Sequence, residues 1–232
     1  SSLALVVALA ATLWVSHDHA LRQLVDSSEA TNVAITRAFA NSLWPRFSSH
    51  FQQAATTETA ALRASPETAR FDAEVRLLAR GLGVLKVKIM ALDGRVLFST
   101  SNAEIGNDYS TSAGFRSAIA GRIFSAESRR AEFVGLDDRL NDIEVISSYI
   151  PLRRSDEHLD AVIEIYTDVT VALTAINRET AKLGLRLLAV FATLYGVLFL
   201  VVRRGDGLLR GQYHQIAETS ERVRAKSVAL ES

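Results

Sequence analysis

The side chains best suited to chemistry lie on runs that are otherwise apolar. In residues 159–168, Glu164, Tyr166 and Asp168 alternate with Ile163 and Ile165. An extended chain therefore puts two carboxylates and a phenol on one face. Ser147 and Tyr149 line up in the same way on the preceding run, residues 143–152. A few polar groups set among apolar walls are the usual lining of a small-molecule site. Asp168 has a competing role, since Asp is a favoured helix cap and Thr170 follows closely; ligand contact and capping both stay open. His17 and His19 flank Asp18, but residues two apart on a helix do not face each other, so a solvated collar is expected there and no metal site. Gly205-Asp206-Gly207 is too short to cradle a phosphate, and no nucleophile elbow frames any serine. No cofactor, metal or catalytic residue is expected in this chain, and the fragment is read as not itself an enzyme.

Composition narrows the classes further. The 232 residues carry 26 basic and 26 acidic side chains, and 48% are hydrophobic. A balanced chain lacks the basic excess of a nucleic-acid binder. The absence of cysteine removes disulfides, thiol nucleophiles and Cys-ligated metals.

The apolar residues are concentrated in two segments. Residues 183–202 are 20 long with one charge, Arg186. A helix of that length rises about 30 Å, the thickness of a bilayer core, and Arg186 lies close enough to one end to snorkel. Arg203 and Arg204 follow at once, which marks a cytoplasmic side. Residues 3–15 are apolar throughout but only 13 long. They read as a truncated transmembrane helix, with the apolar core of a cleaved signal peptide as the alternative. If both segments span, the intervening residues 16–182, with 19 basic and 22 acidic side chains, lie outside, and the tail 203–232, with six basic and four acidic, lies inside.

Between the spans the periodicity changes twice. Leu21, Val25, Ser28, Asn32, Ile35, Phe39 and Ser42 follow helical spacing. A second helical stretch is expected over residues 51–62, and Ser65-Pro66-Glu67 reads as the start of a third. Residues 84–91 then alternate, with Leu85, Val87, Ile89 and Ala91 on one face and Lys86 and Lys88 on the other, which predicts a half-buried strand. Asp93-Gly94 signals a hairpin into residues 95–100. A short helix around Phe115 and Ile119 and three strands over residues 122–128, 143–152 and 159–168 complete an α+β domain with a five-stranded, mainly antiparallel sheet.

This order of elements, with Leu92-Asp93-Gly94, Val96-Leu97-Phe98-Ser99-Thr100, Ile105-Gly106, Gly114-Phe115 and a closing Ile165-Tyr166-Thr167-Asp168-Val169-Thr170, resembles the periplasmic Cache (PAS-like) sensor domain of bacterial receptors. The resemblance covers about residues 17–182. It implies transmembrane helix 1 over residues 1–16, an extracytoplasmic sensor domain over 17–182, transmembrane helix 2 over 183–202 and a cytoplasmic signalling helix over 203–232. It implies a pocket on the sheet face away from the long helix, walled by Ser99, Tyr109, Phe115, Arg116, Tyr149, Tyr166 and Asp168, with a small-molecule signal as candidate ligand. The Tyr/Arg/Trp signature of amino-acid-binding Cache domains is not found, so an amino-acid ligand is not implied. It further implies a full protein in the bacterial inner membrane that is a histidine kinase or a diguanylate cyclase. His214, in His-Gln-Ile-Ala-Glu, does not resemble a kinase phosphoacceptor. A membrane-tethered protein-interaction module with no small-molecule ligand is the alternative.

The tail carries one more pattern. Leu209, Ile216, Val223 and Leu230 recur every seven residues, the spacing of a coiled-coil seam. Gln212, Thr219 and Lys226 leave that seam half polar. A marginal parallel homodimer through these four residues is expected, able to shift its packing in response to the second span.

Overall fold

The computed structural model describes residues 2–136, 138–153 and 158–230, with side chains described from Val7 to Arg204. The chain divides into two compact units, one of Trp14–Arg178 and one of Ser1–Leu13 with Glu179–Ser232.

Helix α1 (Ser2–Ser42) runs through a stretch without Gly or Pro. Ile35, Phe39 and Leu43 are buried at four-residue intervals, one stripe of a helix turned inward. Pro45 does not merely interrupt: it opens α2 (Trp44–Ala54) from the first turn, where a missing N–H costs nothing. The helix expected over residues 51–62 is two helices, α2 and α3 (Thr59–Ala64). Between them the Thr56 and Thr57 hydroxyls donate to the Gln53 carbonyl at 3.1 and 2.9 Å, offering the backbone an alternative to the next helical turn. Helix α4 (Pro66–Ala79) starts as expected: Ser65 Oγ accepts from Glu67 N, and Pro66 sits in the first turn. Phe71, Val75 and Ala79 are its buried face.

The sheet comprises β1 (Val84–Met90), β2 (Val96–Ser99), β3 (Phe124–Val134), β4 (Arg139–Arg153) and β5 (Leu159–Asp168). Its order is β2-β1-β5-β4-β3 with every pair antiparallel. The β1–β2 turn needs Gly94: its φ is +95°, and a Cβ there would meet Ser110 N at 2.5 Å. A 3₁₀ turn (Asn102–Glu104) and α5 (Ala113–Ile119) lie between β2 and β3. Strands β3 and β4 overrun the expected 122–128 and 143–152. Their register continues to Val134↔Arg139, where Glu127, Arg129, Arg130 and Glu132 alternate with little apolar character. An edge strand keeps its pairing through backbone bonds and needs no apolar face.

One sheet face packs on α1, α2 and α4, joining Val87, Ile89, Phe98, Ile163 and Ile165 to Ile35, Phe39, Phe51 and Phe71. Within this apolar layer Asn32 of α1, fully buried, donates to Ser148 Oγ on β4 (2.9 Å) and accepts from Thr167 Oγ1 on β5 (2.8 Å). Strand β1 is not half-buried. Its second face is covered too, and Lys86 and Lys88 are 5% and 2% exposed.

Helix α6 (Thr170–Leu230) begins one residue after β5. Among the described residues one helical segment, Thr170–Arg204, is long and apolar enough to cross a membrane. For the seam at Leu209, Ile216, Val223 and Leu230 the backbone alone is described; of residues 3–15, side chains are described only from Val7 onward.

Candidate functional site

The second face of the sheet carries one polar row across four strands, closed on the fifth by an aromatic ring. The register aligns Ser99 (β2) with Lys88 (β1), Lys88 with Glu164 (β5), Glu164 with Tyr149 (β4), and Tyr149 with Phe124 (β3). One step along lie Lys86, Tyr166 and Ser147. Period-two alternation puts all of them on the face away from α1.

A cleft of about 430 Å³ opens over these rows, lined by Lys86, Lys88, Glu104, Tyr109, Tyr149 and Tyr166 together with Phe133, Arg130 and Glu132 from β3. At its centre the Lys88 ammonium donates to Tyr109 Oη at 2.8 Å and lies 3.4 Å from Tyr166 Oη. It is also 3.4 Å from Glu164 Oε2 and 3.4 Å from Glu104 Oε2. Lys86 Nζ donates to Glu104 Oε1 at 2.8 Å and stands 4.3 Å above the Phe133 ring. Ser99 Oγ donates to Glu104 Oε2 at 3.0 Å. Two ammonium groups thus meet two carboxylates among tyrosines.

The titration of these groups follows from the geometry. Burial works to lower the Lys88 pKa, but Glu164 and then Glu104 outweigh it and hold the ammonium above its ordinary value. Burial would raise the Glu104 pKa, but Lys88 and Lys86 bring it below the ordinary value. Tyr149 and Tyr166 are pushed up, first by burial and then by the Glu164 charge. Glu164 is fully buried, with the Lys88 ammonium 3.4 Å away and the Tyr149 and Tyr166 hydroxyls as its polar neighbours. A carboxylate buried this deeply in a sheet is costly to the fold and marks a candidate functional position.

The seven residues named from the sequence do not share one place. Tyr109, Tyr149 and Tyr166 line the cleft. Ser99 stands behind it, on Glu104. Phe115 is buried with Met90, Val96, Tyr149 and Val162 in a small apolar cluster under α5. Gly114 permits that approach, because a Cβ there would strike the Tyr149 ring at 2.2 Å. Arg116 is exposed on α5. Asp168 caps α6 through Thr170 N at 2.8 Å and borders a different cleft, with Arg80 and Asp138. Among the described residues no cluster of His, Asp and Glu is arranged to hold a metal.

The sequence reading left out Lys86, Lys88 and Glu104, and placed Glu164 on the polar face without assigning it to the pocket. Lysines alternating with apolar residues look like a solvent face. The available signal was complementarity: lone lysines in one apolar strand and a lone glutamate in another, which only the pairing register brings together.

No family model matches the sequence, and no curated protein matches it. Solved structures do resemble it. The sensor domain of E. coli DcuS is 14% identical, over 66% of this chain and 97% of that one, with a TM-score of 0.41. The ligand-binding domain of the Campylobacter jejuni chemoreceptor Tlp3, in complex with L-valine, is 15% identical over 71% of this chain and 59% of that one, TM-score 0.39. The sensor domain of the V. cholerae histidine kinase DctB is 11% identical over 67% and 59%, TM-score 0.36. Sensor and ligand-binding domains of bacterial receptors are therefore what this α+β chain is similar to.

Proposed function

We propose that this chain is the sensor and transmembrane module of a bacterial receptor. Residues 17–182 read an extracytoplasmic signal, residues 1–16 and 183–202 span the inner membrane, and residues 203–232 pass the signal to a cytoplasmic output domain, a histidine kinase or a diguanylate cyclase. The observation that carries the reading is the position of the cleft. Its buried charges sit on β1 and β5, and β5 runs through Val169 directly into α6, which holds the apolar stretch. A ligand that alters the Lys88–Glu164 row acts on a strand joined covalently to the transmembrane helix.

Two measurements test it. Reporter fusions active only outside the cytoplasm should work at Ser101 and be silent at Gly211; the reverse pattern defeats the topology. The full chain in nanodiscs should then show a thermal-shift response in a screen of small metabolites. A ligand at 100 times its dissociation constant raises stability by roughly 2.7 kcal/mol. A response that survives Lys88→Met unchanged moves the site elsewhere.

A further inference from the structure

Lys86 and Lys88 project from a central strand, and the side chain that neutralises both comes from the periphery. Glu104 ends the 3₁₀ turn after β2 and spans the pair, Oε1 on Lys86 and Oε2 toward Lys88. Its side chain is 24% exposed, against 6% for Lys86 and 2% for Lys88, so the carboxylate lies on the solvent side of the ammonium groups.

We propose that Glu104 is an internal competitor for the Lys86–Lys88 pair, and that a small molecule bearing a carboxylate displaces it when it binds. The inference rests on the sensor reading above and deepens it. Charge selects the ligand class. With Glu104 swung out, Lys88 keeps Glu164 at 3.4 Å. Lys86 loses its ion pair with Glu104 and keeps its contacts with the Phe133 and Tyr166 rings, 4.3 and 5.8 Å from their centroids. Leaving a buried ammonium without an anion is strongly unfavourable. A neutral or cationic ligand would impose that loss, whereas a carboxylate restores the balance with the same atoms that Glu104 supplies. The Ser99 hydroxyl, now on Glu104 Oε2, remains as a donor to the incoming oxygen. A cleft of about 430 Å³ accommodates a small organic acid. The position of Glu104 also sets the consequence. Displacement removes the side-chain tie between the turn after β2 and the sheet face, while Lys88 stays tied to β5.

Acetate is the probe, because it is the carboxylate that truncation at Glu104 removes. In the full chain in detergent, Glu104→Ala should lower Tm, and sodium acetate should raise it again in a saturable manner that sodium chloride of equal ionic strength does not reproduce. Adding Lys86→Met should abolish the effect. Glu104→Gln keeps the side-chain volume and removes the competing charge, so it covers the case in which the alanine variant does not fold. It should respond to acetate at a concentration about tenfold or more below that needed by wild type. If neither variant shows an acetate-specific shift, Glu104 is a static buttress and the proposal is overturned. The readout is independent of signalling: a chain that fails the topology test can still pass this one.

Discussion

Lys88 and Glu164 face each other across β1 and β5 with 3.4 Å between Nζ and Oε2, and both side chains are all but sealed from water. Breaking such a pair leaves one buried charge uncompensated, which typically costs roughly 3–5 kcal/mol. Lys88→Met, which strands Glu164, should destabilise by about that amount in chemical denaturation, and Glu164→Gln by less, because Glu104 remains 3.4 Å from Lys88. The double variant should cost clearly less than the sum, because neither charge is then left behind. Additive losses would mean that the two residues do not act on each other.

The same cluster makes the fold sensitive at both ends of the pH scale, with opposite signs. Lys88, Tyr149 and Tyr166 hold their protons more tightly than at the ordinary values of 10.5, 10.0 and 10.0. Their contribution is whole below those values and is lost as pH rises through the raised ones. Glu104 is held below its ordinary 4.5, so its contribution is whole above that value and is lost as pH falls through the lowered one. The contribution of this cluster to Tm should therefore be flat through neutrality and be lost above about pH 10 and below about pH 4.5. In an absorbance titration two of the five tyrosines should ionise only with unfolding. Tyr166→Phe should flatten the alkaline fall. Five tyrosines titrating together in the folded protein would contradict the burial of Tyr149 and Tyr166.

How much of this was readable in advance depended on whether a feature is local. The Asp93-Gly94 hairpin, the Ser65-Pro66 helix start and the strand at 159–168 are each encoded within a few residues, and each appears in the structure. The faces of the strands also follow from alternation, which is why Tyr149 and Tyr166 were found. Pairing partners are not encoded locally. That Lys88 lies beside Glu164 depends on β1 and β5 being neighbours, and the two residues are 76 positions apart, beyond the reach of any local pattern. Asn32 is the same case on the other face. Within the stripe of α1 it is one more position, and only the packing of α1 over β4 and β5 makes it the donor to Ser148 and the acceptor from Thr167.

Asp168 separates two roles that its position left open. Its Oδ1 accepts from Thr170 N at 2.8 Å, so Asp168→Ala should cost about 1 kcal/mol, as loss of a helix cap does, and Asp168→Asn should recover most of it. Neither change should alter the acetate response of the Glu104→Ala chain, because Asp168 borders the other cleft. An acetate response abolished in both would place Asp168 in the ligand site after all.

The tail offers a test that needs no ligand. Helix α6 is continuous over 61 residues, from the end of β5 to Leu230. Leu209, Ile216, Val223 and Leu230 repeat every seven residues along it. Seven residues fall slightly short of two turns of an ideal helix, so a stripe of this period stays on one face only if partner helices wind around each other. We therefore expect a parallel dimer, held weakly because Gln212, Thr219 and Lys226 occupy the companion positions. The chain contains no cysteine, so single cysteines from Gly207 to Leu230 can be read one at a time in membranes. Disulfide cross-linking should rise and fall with a spacing of three to four residues and peak at 209, 216, 223 and 230. A carboxylate that displaces Glu104 should change the relative height of those peaks while leaving their spacing intact. A flat profile, or no cross-linked dimer at any position, would remove the coiled coil and with it the route by which β5 could act on an output domain.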